Sequence, residues 1–239
     1  MKKQHVNILG INFINIRFEE MAEELAARVG NEQKAFVVTA NPEIVMYADA
    51  HQRYKNILDS ADYVVADGTG IVLASRLLNT PLKERVTGFD LTLSLLQKAD
   101  QNNWSIYLLG GRPEVNAKAA ENIKLTYPGL KLAGNRHGFF DWKDPAVVDD
   151  IRETKPDIVL VALGFPKQEQ WISLYKDYFE KGIFIGVGGT IDILAGKAKR
   201  APILWRKLNM EWLYRLLKQP SRWRRMLALP RFVVKVMKK

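Results

Sequence analysis

The sequence AFVVTANP at residues 35–42 joins a predicted strand to a predicted helix. Ala35–Thr39 is rich in apolar and β-branched residues, which favours a buried strand. Asn41 and Pro42 then provide an N-cap and a first-turn proline, so we predict a helix that ends near Ala50. A buried strand followed directly by a helix is the repeating unit of a parallel α/β sheet.

The same unit of strand, turn and helix recurs along the chain. Four further apolar runs predict strands, and short turns connect them to helical patterns. The predicted strands are Tyr63–Ala66, Ser105–Leu109, Ile158–Leu163 and Ile183–Val187. The predicted helices are Gly88–Lys98, Glu114–Leu125, one that ends near Leu78 and one that ends near Tyr178. We therefore predict an α/β fold, a Rossmann-like parallel sheet with helices on both faces.

The end of the chain differs sharply in charge from the rest. Residues 195–239 hold fourteen Lys or Arg and one acid, Glu211, which gives this segment a charge of +13. Because the whole chain carries +10, residues 1–194 sum to −3. We therefore predict a main domain at 1–195 and a basic helical appendage at 196–239, which we call the tail.

Aromatic and leucine side chains lie between the basic residues of the tail. Such a mixture suits a surface that is anionic outside and apolar beneath, so we predict docking to an anionic membrane surface. A solvated helical hairpin that packs on the main domain is the alternative that stays open. A basic surface also fits phosphate backbones, but we predict no nucleic-acid partner. The tail aromatics are Trp205, Trp212, Tyr214, Trp223 and Phe232.

The composition of the 239-residue chain excludes several classes of protein. Hydrophobic residues make up 47% of the sequence, which is enough for a substantial core. The absence of cysteine excludes a disulfide framework, thiol catalysis and cysteine-ligated metals. We expect no signal peptide, and the longest apolar candidate for a span, Ile183–Gly196, is short and interrupted by Asp192. Contact with a membrane is therefore expected to be peripheral.

Polar or glycine-rich turns follow nearly every predicted strand. The carboxyl ends of parallel strands meet at one edge of a sheet, where open α/β sheets bind their ligands. Backbone N–H groups and helix N-termini that converge there suit a diphosphate. The turns are Thr39–Asn41, Asp67-Gly68, Gly110-Gly111, Gly164–Pro166 and Gly186–Gly189.

Two charged residues in or near these turns are candidates for chemistry. Asp67 stands at a strand end within reach of a substrate hydroxyl, as a general base must, although it could instead cap the next helix. The forked guanidinium of Arg85 fits a diphosphate, although it could instead pair with Glu84 or Asp90. Thr39 and Asn41 could orient a sugar or phosphate.

The remaining candidates are turn residues predicted to contact the substrate. The sequence GGRP from Gly110 resembles a weak phosphate turn but lacks both the GxGxxG pattern and a Walker lysine. Large polar residues occupy the first turn of the helix after Pro166, and Asp192 could bind ribose hydroxyls or cap its own helix. These candidates are Gly110, Gly111, Arg112, Gly164, Lys167, Gln168, Glu169, Gly188, Gly189 and Asp192.

Taken in order, these motifs resemble the WecG/TagA/CpsF family of bacterial glycosyltransferases over nearly the whole chain. No single motif is specific for this family, but the whole set in this order is. The matching stretches are Thr39–Glu43, Ala66–Gly70, Arg85–Asp90, Gly164–Glu169, Gly186–Gly189 and Arg200–Pro202, followed in the tail by Glu211–Arg215, Gln219-Pro220, Arg222 and Arg225.

The resemblance implies a reaction and its substrates. Members of this family transfer an N-acetylmannosamine-type sugar from a UDP donor to undecaprenyl-diphosphate-linked GlcNAc, with inversion and with no metal or other cofactor. The product is the linkage unit of wall teichoic acid; the alternative donor is the uronic acid sugar used for enterobacterial common antigen, capsule or exopolysaccharide. The resemblance also implies an enzyme in the cytoplasm, peripheral on the inner face of the cell membrane. Its exposed tail would favour a homo-oligomer when no membrane is present.

The resemblance implies a role for individual residues as well. Asp67 matches the proposed base, and Thr39, Asn41 and Gln168 match residues around the sugar and the acceptor. Arg85 belongs to a cationic cluster with three tail arginines, which are expected to cover the site as a lid over the leaving group: Arg215, Arg222 and Arg225.

Two other readings compete with a glycosyltransferase. A nucleotide-dependent dehydrogenase would show GxGxxG after its first strand with an acid about twenty residues later, and that fingerprint is missing. A non-catalytic adaptor for membranes or nucleic acid would explain the tail. It would not explain why the polar residues Asp67, Gln168 and Asp192 occupy turns at strand ends.

Overall fold

The computed structural model describes residues 4–142, 144–208, 210–218, 220, 223 and 227–238, except for the side chains of Lys207 and Arg215. Eight strands and twelve helices are defined within these residues. The strands are β1 His5–Ile8, β2 Ile11–Ile14, β3 Lys34–Ala40, β4 Tyr63–Ala66, β5 Ser105–Gly110, β6 Lys131–Arg136, β7 Ile158–Ala162 and β8 Gly182–Gly186. The helices are α1 Phe18–Gly30, α2 Pro42–Ala50, α3 Gln52–Asp59, α4 Thr69–Leu77, α5 Gly88–Asn102, α6 Pro113–Thr126, α7 Pro145–Glu153, α8 Lys167–Tyr175, α9 Thr190–Leu194, α10 Ile203–Lys207, α11 Glu211–Lys218 and α12 Ala228–Met237.

Six of the strands form one parallel sheet in the order β4-β3-β8-β7-β5-β6. β8 and β7 pair in the centre, β3 lies between β4 and β8 with its Val37 opposite Ile185, and β4 and β6 form the two edges. Parallel strands require crossover connections, and helices provide most of them here. The predicted α/β fold with a Rossmann-like sheet is therefore confirmed.

The apolar strands explain why helices cover both faces. Successive residues of a strand point to opposite faces, so β3 contributes Phe36 and Val38 to one buried cluster and Val37 to the other. Neither cluster could be buried without helices on its own side of the sheet. Asn41 caps α2, one of the covering helices, as predicted, because its side-chain oxygen accepts a hydrogen bond from the N–H of Ile44 at 3.0 Å.

Several elements differ from the sequence-based prediction. The antiparallel pair β1-β2, the helices α1 and α3, and the edge strand β6 were not predicted from the sequence. α7 begins at Pro145, and the side chain of Asp144 caps it. Pro145 occupies the first helical position because its missing N–H needs no partner there.

The tail contacts the main domain through its last helix. α12 packs against α2 and α4, and its Phe232 and Val236 are buried in the same cluster as Phe36. Lys235 forms an ion pair with Asp49 of α2. Arg222 and Arg225 lie outside the described residues. Among the helices that are described, none combines the length and the apolar character that a membrane crossing requires.

Candidate active site

A cavity of about 300 Å³ opens at the carboxyl ends of four strands. β3, β4, β7 and β8 end there, and the turns after them supply most of its walls. The tail closes part of one side with residues from three of its segments: Arg200, Glu211, Trp212, Ala228 and Leu229. The site therefore combines the expected edge of the sheet with the basic end of the chain.

Eight of the candidate residues line this cavity, and six do not. The lining candidates are Thr39, Asn41, Asp67, Arg85, Gly164, Gln168, Gly188 and Gly189. The candidates outside it are Gly110, Gly111, Arg112, Lys167, Glu169 and Asp192. The backbone of Arg215 lies in α11 but its side chain is not described, so the lid role of Arg215, Arg222 and Arg225 stays a prediction.

Asp67 lies directly after β4, and its N–H donates to the carbonyl of Ala40 at 2.9 Å. The N-cap residue of α4 is Gly68, not Asp67. Gly68 has φ of +98°, a left-handed conformation that glycine adopts without strain. Asp67 therefore precedes the N-cap position of α4, and it lines the cavity.

Thr39 lies near the end of β3 and Asn41 directly follows that strand, and both residues line the cavity. Asn41 uses its oxygen to cap α2, and its Nδ2 donates no hydrogen bond to any residue that the structure describes. A Cβ on Gly88 would lie 2.7 Å from Oγ1 of Thr39, so only glycine lets α5 approach that hydroxyl so closely. Both side chains keep donors on the cavity side that a sugar could use.

Arg200 is a cavity residue to which sequence reasoning assigned no role. Its guanidinium binds Asp90 through two hydrogen bonds of 2.6 and 2.7 Å and stacks on Phe89 at 4.5 Å. Its Nε lies 4.0 Å from a carboxylate oxygen of Glu211 at the start of α11. Arg200 therefore connects the main domain to the tail. The matching motif Arg200–Pro202 was the only sequence signal, since Arg200 and Asp90 are far apart along the chain.

The charge of Asp90 is stabilised by this contact. Burial by itself would raise the pKa of Asp90, but hydrogen bonds from Arg200 and Thr87 lower it below its usual range, and the nearby charge of Arg85 adds to the effect. Arg85 forms no ion pair with Glu84 or with any other residue in the described part of the chain. Its guanidinium is therefore available to an anionic ligand in the cavity.

Gln168 connects the cavity to a buried carboxyl group. Its Oε1 accepts a hydrogen bond from the N–H of Gly188 at 3.1 Å, and its Nε2 donates to Glu169 at 2.7 Å. Glu169 is only 2% exposed, and burial raises its pKa to about 7 despite these hydrogen bonds. The Tyr54 hydroxyl faces the same carboxyl without reaching hydrogen-bond geometry. Glu169 thus lies behind the cavity wall and not in it.

Rising pH should destabilise the protein through Glu169. The folded state holds the proton of Glu169 up to about pH 7, whereas the unfolded chain releases it near 4.5, so the free energy of unfolding falls between these values. We expect Glu169 to contribute a loss of about 2 to 3 kcal/mol between pH 5 and pH 8. Urea unfolding at both pH values, compared with Glu169→Gln, measures this contribution.

Glu169→Gln should be more stable than the parent at pH 8 and no more stable at pH 5. Glu180→Gln, at an exposed position just before β8, is the matched control and should leave the pH dependence unchanged. If the free energy of unfolding changed equally between pH 5 and pH 8 in the parent and in Glu169→Gln, Glu169 would ionise normally.

The candidates outside the cavity have structural contacts of their own. A Cβ on Gly110 would lie 2.4 Å from the carbonyl of Ala162, and one on Gly111 would lie 2.9 Å from Ile191. These glycines therefore allow close packing of the strand ends. Lys167 lies 5.5 Å from the ring centre of Trp142, and the carbonyl of Asp192 accepts the N–H groups of residues 197 and 198. Arg112 is the exposed N-cap residue of α6.

Comparison with known proteins agrees with this arrangement. Residues 6–239 match the model of the glycosyl transferase WecG/TagA/CpsF family. The N-acetylglucosaminyldiphosphoundecaprenol N-acetyl-beta-D-mannosaminyltransferases of Staphylococcus aureus strains MW2 and MRSA252 are each 42% identical to this chain over 235 residues, which cover 98% of this chain and 92% of each relative. The family match covers the main domain, the cavity and the tail together. The chain therefore belongs to the glycosyl transferase WecG/TagA/CpsF family.

Proposed function

We propose that this protein transfers N-acetylmannosamine from UDP-N-acetylmannosamine to undecaprenyl-diphosphate-linked GlcNAc, forming the linkage unit of wall teichoic acid. One observation carries the proposal: a single cavity at the ligand-binding edge of the sheet brings together the predicted base Asp67, the polar residues Thr39, Asn41 and Gln168, and the arginines Arg85 and Arg200. The names of the Staphylococcus aureus relatives supply the acceptor and the sugar.

The reaction is a single displacement at the anomeric carbon of the donor sugar. The 4-hydroxyl oxygen of the acceptor GlcNAc forms a bond to C1 while the bond from C1 to the β-phosphate oxygen of UDP breaks. Asp67 takes the proton from the attacking hydroxyl, and UDP leaves with the bonding electron pair. Because the nucleophile enters opposite the leaving group, the configuration at C1 inverts. Thr39, Asn41 and Gln168 hold the sugars in line for this attack.

Negative charge accumulates on UDP as it leaves, and the site must stabilise it. We propose that arginines and backbone N–H groups do this, with no metal or other cofactor. Arg85 has no ion pair to break within the described chain, and the turn at Gly188 and Gly189 offers backbone donors in the cavity wall. Arg215, Arg222 and Arg225 of the tail are proposed to complete the positive charge when the tail covers the bound donor.

The acceptor's lipid explains why a basic, apolar tail borders the cavity. We propose that the enzyme is peripheral on the inner face of the cell membrane, where this acceptor is found. Among the tail residues that the structure describes, ten large apolar side chains are more than a third exposed, which suits the apolar layer beneath anionic headgroups. They are Ile203, Leu204, Leu208, Trp212, Leu217, Trp223, Leu227, Val233, Val234 and Met237.

A nucleotide screen followed by a transfer assay tests this function. UDP should raise the melting temperature of the protein, whereas AMP and NAD should not, because a ligand that binds only the folded state stabilises it. UDP-N-acetylmannosamine with a short-chain lipid-diphosphate-linked GlcNAc should then yield a disaccharide product by mass spectrometry. Stabilisation by NAD without a response to UDP would contradict the proposal. Transfer only from the UDP-linked uronic acid sugar would reassign the donor.

A further inference from the structure

We infer that Glu169 is a positioning residue of the transferase, which acts through Gln168 to hold the glycine turn Gly186–Gly189 in the cavity wall. Glu169 is outside the cavity, whereas Gln168 and every residue of that turn line it. The inference rests on the proposed function for its effect on sugar transfer. Its effect on the turn itself can be measured without any reaction.

Backbone geometry fixes which way the Gln168 amide faces. The N–H of Gly188 can only donate, so the atom of Gln168 that lies 3.1 Å from it must be the oxygen. The amide nitrogen must then face Glu169, whose Oε1 is 2.7 Å away. Glu169 is therefore the acceptor that holds Gln168 in the orientation that Gly188 requires. After these bonds, Gln168 keeps one N–H and one oxygen lone pair for a ligand.

The glycine turn and Gln168 are packed so closely that each restricts the other. A Cβ on Gly186 would lie 2.4 Å from Nε2 of Gln168 and 2.8 Å from its amide carbon, so the side chain lies directly on the backbone of β8. Gln168 is 6% exposed and Gly188 has φ of +46°. A Gln168 amide released from Glu169 could not rotate toward β8 without moving this turn, because its Nε2 and amide carbon lie against the backbone of Gly186.

The surroundings of Glu169 argue against a purely structural role. A neutral side chain would fill this site at a lower cost, because burying a carboxyl without a cation opposes folding. Oε2 of Glu169 and the hydroxyl of Tyr54 are both buried and have no hydrogen-bond partner in the described part of the chain. The raised pKa of Glu169 reflects this cost. What the protein gains in return is a hydrogen-bond acceptor for Gln168, which an apolar side chain could not provide.

Three variants separate positioning from folding. Glu169→Met removes the acceptor, Glu169→Gln keeps an acceptor oxygen without the charge, and Glu180→Met is the exposed control. For Glu169→Met we expect faster amide hydrogen exchange at residues 186–190 and a kcat about 10- to 100-fold lower, with KM for the donor changed by no more than about threefold. Its melting temperature at pH 8 should not fall, because a buried charge has been removed. Glu169→Gln should restore slow exchange and most of the kcat.

A double variant tests whether Glu169 acts through Gln168. If it does, Gln168→Ala combined with Glu169→Met should transfer sugar no more slowly than Gln168→Ala alone. Additive losses would overturn the inference, as would a Glu169→Gln variant that is as impaired as Glu169→Met. Unchanged exchange at residues 186–190 in Glu169→Met would overturn it whatever the transfer rate. If the parent protein transferred no sugar, the proposed function would fail, and hydrogen exchange alone would still decide this inference.

Discussion

Asp67→Asn should lower the turnover of sugar transfer by about 10²- to 10⁴-fold while leaving the affinity for UDP nearly unchanged. Asparagine has almost the shape of aspartate but cannot take a proton from the attacking hydroxyl. Asp67 is a candidate for this step because it directly follows β4 and lines the cavity. Steady-state kinetics with a short-chain acceptor measures turnover, and calorimetry measures UDP binding.

The control for Asp67→Asn is Asp59→Asn. Asp59 is exposed at the end of α3, where it forms an i,i+4 ion pair with Lys55. Such surface pairs contribute little stability, so both turnover and melting temperature should stay close to those of the parent. A near-normal rate for Asp67→Asn would remove this residue from the role of base. Loss of UDP binding together with turnover would indicate a binding role for Asp67 instead.

β3 and β4 were predictable because short runs of apolar and β-branched residues favour buried strands. Tyr63–Ala66 matches β4 at both ends, and Ala35–Thr39 lies within β3 with one residue missing on each side. Both runs are apolar on both faces, so they require cover from helices on either side. β6 was missed because an edge strand can be poor in apolar residues, and its sequence KLAGNR gives little signal. α1 was missed although Met21, Ala22, Leu25 and Val29 form a buried stripe at helical spacing.

The cavity could be predicted only where its residues lie at strand ends. Asp67, Gln168 and Gly188 were found because each belongs to a turn after a strand, and the topology brings such turns together. Gly110 and Gly111 also follow a predicted strand, but they allow close packing and do not line the cavity. Their role depends on contacts with Ala162 and Ile191, which the sequence does not reveal. Arg200 follows no strand, and its contact with Asp90 joins segments 110 residues apart. Only the folded chain could reveal that contact.

Deletion of the tail, residues 196–239, should reduce sugar transfer by about 10³-fold or more. The cavity would lose Arg200, Trp212 and the other tail residues of its wall, so water would enter and positive charge near the leaving group would be lost. The tail also contributes Phe232 and Val236 to the core beside α2 and α4. Removing a buried Phe side chain alone costs about 3 to 5 kcal/mol, so the deletion should also lower the melting temperature.

A matched pair on α11 separates the catalytic loss from the loss of stability. Trp212 lines the cavity, whereas Leu217 is on the same helix, is exposed and does not line it. Both side chains are largely outside the core, so Trp212→Ala and Leu217→Ala should have similar melting temperatures and similar binding to anionic vesicles. Only Trp212→Ala should lower kcat, because it alone opens the cavity to water. Equal rates in the two variants would mean that the tail acts through stability or membrane contact alone. Full activity of the deletion variant would show that the main domain performs transfer without cover from the tail.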